Sequence, residues 1–180
     1  MIVSAEELQG MPEFRGVSET VLQRKLDSAE HLVRAYTNNN FQNRAVRFRA
    51  ASLTSELITD ETAVLGFLRT GDTVEISQSE VNDGLYTVKM VNAGRGISVS
   101  RDLFPVDYNL VTKVEYPADI KEGVINLLIW DVQNRGKVGV KSETLSRHSV
   151  TYFDLDVSNQ LMGYPVSLLG FLTPYVKARF

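Results

Sequence analysis

Tyr36-Thr37-Asn38-Asn39-Asn40 is followed within a few residues by Arg44-Ala45-Val46-Arg47-Phe48-Arg49, and the hydrophobic period of the chain changes between the two. Upstream, Leu22, Leu26, Ala29, Val33 and Tyr36 recur at helical spacing, while Gln23, Arg24, Asp27, Glu30 and Arg34 fall largely on the other side. That spacing predicts an amphipathic helix. Downstream, Val46 and Phe48 alternate with Arg47 and Arg49, the two-residue period of a strand. The asparagines between them tolerate the left-handed geometry that ends helices. The junction therefore separates a helical segment from a β segment.

Working outward, Ser4-Ala5-Glu6-Glu7 has the form of a capping box for a first short helix, closed by Gly10 and Pro12. Ser18 is the expected N-cap of the long helix, with Glu19 favoured by the helix dipole. On the β side, Val74 and Ile76 alternate with Thr73, Glu75 and Ser77, and the β-forming runs 85–91, 97–99 and 110–116 follow. Gly71-Asp72, Asn82-Asp83-Gly84 and Gly94-Arg95-Gly96 supply turns between them. Residues 44–116 are thus expected to form a small antiparallel sheet or barrel, with one helical turn near 60–67.

Helical character returns after Pro117, where Val124, Ile125, Leu127, Leu128, Ile129 and Trp130 cover nearly the whole circumference of a helix through Arg135. Such a helix needs cover on more than one side, from the core or from a second copy of the chain. Gly136 and Gly139 end it, Ser142 to Leu145 leads to a strand at 148–153, and Pro165 opens a short helix through Leu172 that Pro174 breaks. The fold class is α+β: a helical body, 1–43 and 117–180, interrupted by a β-rich insertion, 44–116.

Composition narrows the functions. The chain has 180 residues, no cysteine, two histidines and a net charge of −3. Disulfides, thiolate metal sites and Cys/His nucleophile pairs are excluded. Residues 61–120 hold five basic and nine acidic side chains, and residues 121–180 hold seven and five, so the middle is an acidic block. No apolar run has the length of a membrane span and the N-terminus lacks a signal-peptide pattern, so a soluble, non-exported protein is expected. Neither His31 nor His148 lies in a catalytic motif, Asp102 and Asp107 lack calcium-loop spacing, and Gly94-Arg95-Gly96 lacks a phosphate-loop context. No enzymatic activity, metal or cofactor is expected. Arg47 and Arg49 share one strand face and offer a weak phosphate contact at most. Two apolar surpluses remain: Val124, Ile125, Leu128, Ile129 and Trp130, read as core or subunit interface, and the segment from Tyr164 to Phe180, read as a docking tail or as a tail folded back on its own domain.

The order of these elements resembles the head–tail connector, or adaptor, proteins of long-tailed double-stranded DNA bacteriophages. The resemblance is carried by the helix Ser4 to Gly10, the long helix into Tyr36-Thr37-Asn38-Asn39-Asn40-Phe41 and the apolar helix 118–135. Lys141-Ser142-Glu143-Thr144-Leu145 before Ser149-Val150-Thr151-Tyr152 continues it, and Gly163-Tyr164-Pro165 with Leu172-Thr173-Pro174-Tyr175 completes it. It covers a little over half the chain; the β-rich middle departs from it. It implies a structural virion protein made in the host cytoplasm, a homo-oligomeric ring, roughly twelve-fold, under the portal protein. Such a ring extends the DNA channel, lets DNA pass without specific binding and receives a stopper or tail-completion protein. It also implies that Leu169, Leu172, Pro174, Tyr175 and Phe180 dock on the portal. A reading of another class is a protein-binding module outside any virion, whose β-rich insertion recognises a polypeptide.

Overall fold

The computed structural model describes residues 1–134, 142–145, 148–151 and 160–178. They form two compact units, one of Met1 with residues 40–116 and one of residues 2–39 with 117–180. The first boundary falls a few residues before the expected Arg44, because the asparagine cap leads almost directly into the first strand.

In the helical unit, α1 (Ala5–Gln9) starts where the Ser4 hydroxyl accepts the Glu7 N–H at 3.1 Å. A single 3-10 turn, Pro12–Phe14, buries Phe14. The long helix α2 (Glu19–Thr37) begins at Ser18, which has N-cap backbone geometry although its side chain makes no capping bond. It buries Leu22, Leu26, Ala29 and Val33 and ends at Asn38 in the left-handed conformation, φ 48° and ψ 37°. After Pro117, α3 (Ala118–Asn134) buries Ile120, Val124, Ile125, Leu127 and Leu128.

The β unit is one four-stranded antiparallel sheet with no closed barrel, which decides between the two forms left open by the sequence. Its strands are β1 (Gln42–Ile58), β2 (Thr73–Ser77), β3 (Gly84–Asn92) and β4 (Gly96–Val114), with a 3-10 segment, Thr62–Phe67, at the expected helical turn. β1 lies along β4 for its whole length. On the other edge of β4, residues 110–114 pair with β2 and residues 96–99 pair with β3, while β2 and β3 pair with each other.

The alternation in β1 reverses partway. Val46, Phe48, Ala50 and Ser52 are buried, then Leu57 and, just past the strand, Thr59. Thr54, at φ 55°, sits between the two phases, where the register against β4 shifts repeatedly. An inserted residue of this kind flips every later side chain to the other face. The core gathers Val46, Phe48, Leu57, Leu68, Val74, Ile76, Val88, Ile97 and Val111.

Two short hairpins complete the chain: β5 (Ser142–Leu145) with β6 (His148–Thr151), and β7 (Gln160–Leu161) with β8 (Tyr164–Pro165). β6 ends at Thr151, and Tyr152 and Phe153 lie outside the described residues. The expected helix from Pro165 to Leu172 is instead two 3-10 turns, Val166–Leu168 and Gly170–Tyr175, with Pro174 inside the second. Tight three-residue turns accommodate Pro174 where a longer α-helix is broken by it.

Candidate interaction surfaces

In the helical unit the second cover for α3 comes from the chain itself. The turns Val166–Leu168 and Gly170–Tyr175 pack on α3, and the latter packs on α2 as well. Leu169 and Leu172 are buried there, Leu172 completely. The Phe171 ring lies so close to Gly123 that a Cβ at that position would come within 2.4 Å of it. Beyond the turns the backbone follows the end of α2: the Lys177 N–H donates to the Thr37 carbonyl at 2.8 Å, and the Asn38 amide donates to the Ala178 carbonyl at 3.1 Å. The Tyr175 hydroxyl donates to Asp119, lying 2.8 and 2.7 Å from its two carboxylate oxygens.

These placements sort the residues singled out from the sequence. Val124, Ile125 and Leu128 are core positions. Ile129 and Trp130 are half-buried and line an open groove of about 500 Å³, shared with Leu168 and Phe171, with Asp119 and Glu122 also on its wall. Trp130 stacks at a tilt on Tyr164, ring centroids 5.6 Å apart. Of the tail residues, Leu169 and Leu172 pack against their own unit, as in the reading of a tail folded back on its domain. Pro174 is exposed, Tyr175 is half-buried, and Phe180 lies outside the described residues. Lys25 on α2 pairs with Asp131 on α3, whose side chain is almost fully buried.

In the β unit, Arg47 is half-buried and tied down: its Nε donates to Thr112 at 2.9 Å and a terminal nitrogen donates to Gln42 at 3.1 Å. Arg49 is exposed. The two therefore differ, and only Arg49 presents a free-standing guanidinium surface. Asp102 and Asp107 are both exposed, and no group of three or more His, Asp or Glu among the described residues is placed to hold a metal ion.

The sequence reading passed over a buried polar node. Asn82, 2% exposed, donates to the Ser52 hydroxyl at 3.2 Å, to the Phe104 carbonyl at 2.9 Å and to the Asn109 side chain at 3.3 Å. Its own side-chain oxygen accepts the Phe104 N–H at 2.8 Å. Ser52 donates to the Phe104 carbonyl and accepts the Val106 N–H, and Asn109 donates to the Ala50 carbonyl. Tyr86 donates to the Asn82 carbonyl at 2.9 Å. Both backbone groups of Phe104 are thereby fixed, while its ring is 68% exposed. Leu53 and Val81, each next in sequence to a member of the node, are also exposed. Two signals could have found this: Leu53 is an apolar residue at an outward position of the alternation, and Asn82-Asp83-Gly84 follows an apolar residue that no core needs.

No protein-family model matches the chain, and a search of curated proteins finds none that matches.

Proposed function

We propose that this chain is a structural, non-catalytic subunit of a bacteriophage head–tail connector, assembling as a ring beneath the portal in the virion. The observation that carries this reading is the construction of the helical unit. Its capped helices and its C-terminal turns come together from both ends of the chain, and the whole β unit is spliced between the left-handed cap at Asn38 and Pro117. This is the order of elements on which the resemblance to adaptors rests. A body that closes on itself in this way tolerates a large insertion, because insertion sites between well-tied ends do not disturb the packing.

In this reading the groove along α3, with Ile129 and Trp130, is the contact between neighbouring subunits. The exposed residues near the end of the tail, Pro174 and Val176 to Ala178, meet the portal, and a ring needs only weak attachment per copy because many tails bind together. DNA passes through without being gripped, which suits an acidic chain that releases few counterions. No helix among the described residues is long and apolar enough to cross a membrane. Native mass measurement across a wide concentration range tests the reading. A closed ring of about a dozen copies is expected, alone or with portal present. A stable dimer that persists with portal added would overturn it.

A further inference from the structure

We propose that the surface formed by Phe104, Leu53 and Val81 is a docking site for a polypeptide that presents an apolar pocket rimmed by lysine or arginine. The inference rests on the β unit alone and not on the ring reading.

Three observations converge on it. The first is rigidity beneath exposure. Phe104, Leu53 and Val81 are 68, 54 and 54% exposed, yet the backbone under them is held by the Asn82, Ser52 and Asn109 network. An aromatic ring on a fixed backbone loses little freedom when it inserts into a pocket, which is the property of interface anchors. A solvated loop with no such role does not need a fully bonded asparagine buried beneath it.

The second is strain at the same place. Thr54, Gln78 and Glu80 all have left-handed backbone, with φ of 55°, 60° and 64°. Thr54 follows Leu53, Glu80 precedes Val81, and Gln78 precedes the Ser79 hydroxyl that accepts the Asn82 N–H. β-branched residues rarely adopt this conformation, and its cost is tolerated where the surroundings enforce it, commonly at functional surfaces.

The third is charge, and it selects the partner. Glu80, Asp83, Asp102 and Asp107 all lie within a few residues of the three apolar side chains and are all exposed. Arg101, the cation next to Asp102, is already engaged by its own sheet: its guanidinium sits 4.6 Å from the Tyr86 ring centroid and donates to the Leu85 carbonyl at 2.7 Å. An apolar centre with an acidic margin repels nucleic acid and anionic lipid surfaces. It complements an apolar pocket with a basic margin.

The test uses the full chain as bait for a random-peptide display library, followed by affinity measurement of the selected peptides by fluorescence anisotropy. Enriched peptides are expected to combine aromatic or aliphatic residues with lysine or arginine, and to bind more weakly as salt is raised. Phe104→Asp is expected to weaken them by at least about tenfold, and Glu80→Lys with Asp102→Lys to weaken them further. Both changes are at exposed positions, so thermal melting should stay near that of the parent and show that the chain remains folded. Failure to enrich any peptide, enrichment of acidic peptides, or binding indifferent to Phe104→Asp would overturn the proposal. So would concentration-dependent self-association that Phe104→Asp abolishes, since the patch would then belong to a second copy. Ring size by native mass is expected to be unchanged in Phe104→Asp, which keeps the failure of one reading separate from the other.

Discussion

The two units dispose of their apolar surplus in opposite ways. In the helical unit α3 has more apolar surface than one neighbour can cover, and the C-terminal turns fold back to cover much of the rest with Leu169, Leu172 and Phe171, leaving Ile129 and Trp130 on an open groove. In the β unit the alternation of the strands already assigns an inside and an outside, so Leu53 on β1 and Phe104 on β4 stay outside on a rigid base, beside the exposed Val81 of the β2–β3 loop. An apolar excess along a helix thus does not by itself say which residues form an interface, because a nearby segment can absorb most of it. An apolar residue at an outward strand position carries more information, because nothing in the sheet can turn it inward without slipping the register.

The largest effect should come from the tightest backbone approach in the sheet. A Cβ at Gly96 would lie 1.9 Å from the Leu57 carbonyl oxygen, and neither backbone can yield without breaking the pairing of β1 with β4. Gly96→Ala is expected to cost roughly 4 kcal/mol or more, the range of severe steric lesions. Trp130 is the only tryptophan and lies in the helical unit. Its fluorescence in urea therefore reports that unit, while far-ultraviolet circular dichroism sums both. Loss of sheet signal with an unshifted Trp130 transition would establish two independently stable units. A common shift would show them to be one cooperative system.

A smaller loss is expected in the helical unit at its buried charge. Asp131 is 4% exposed and Lys25, its partner, 28%. Lys25→Met should cost about 2–3 kcal/mol, less than a fully buried pair because Lys25 is partly solvated. Lys25→Met with Asp131→Leu should regain most of that loss, since an apolar pair of similar volume replaces the ions. Denaturant titration monitored at Trp130 measures both. If the double variant were no better than the single one, the charge would be holding α2 and α3 in place for a reason other than its own desolvation.

Smaller again is the effect at Gly123, and the contrast with Gly96 is the point. Its obstacle is the Phe171 ring, a side chain that can rotate away, where Gly96 meets backbone. Gly123→Ala also gains helix propensity, roughly 1 kcal/mol, against the packing that Phe171 loses. A net loss of about 1 kcal/mol is expected by the same titration. A net gain would mean that the Phe171 contact contributes little and that the turns are held mainly by Leu169 and Leu172.

How much was legible follows from the range over which each feature is encoded. The α2 boundaries were readable because Ser18 and the asparagine run are local signals, and the strands because alternation and turn residues are local too. The β4 pairings were not, since one strand serves β1, β2 and β3 with different halves, a long-range choice that alternation does not express. The short helix expected from Pro165 through Leu172 gave no sign that it would be two 3-10 turns, because three-residue and four-residue turns share their first apolar spacing. For the candidate surfaces, Val124 and Trp130 were visible as apolar residues, but whether each is core or groove depends on where Phe171 and Leu172 fold. Asn82 was read only as a turn residue, because a hydrogen-bond node assembled from a loop and two distant strands, β1 and β4, leaves no pattern in any one of them.

The smallest effect concerns the attachment of the tail and is best read through pH. The hydrogen bond to Asp119, with lesser help from desolvation and from the carboxylate charge, raises the Tyr175 hydroxyl above its ordinary 10.0. A group whose folded value is raised contributes its stabilisation fully below the unfolded value and loses it as pH climbs through the folded one. The tail should therefore stay attached at neutral pH and loosen above about 10, where phenolate and carboxylate repel. A global melt cannot isolate this. Lys113 is raised as well: burial lowers its value, but hydrogen bonds to Glu115 and Asp72 and the charges of both outweigh it. Its contribution to the β unit fades over the same alkaline window. The local readout is the ultraviolet titration of the parent minus that of Tyr175→Phe, which isolates one phenol and should show it titrating later than an unperturbed tyrosine. Trypsin supplies the structural counterpart at neutral pH. Cleavage after Lys177, whose N–H is bonded to the Thr37 carbonyl, should be faster in Tyr175→Phe by a small factor. Equal cleavage with a shifted titration would mean that Asp119 perturbs Tyr175 without helping to hold the tail, and that Leu169 and Leu172, with the bonds of Lys177 and Ala178 to the end of α2, secure it.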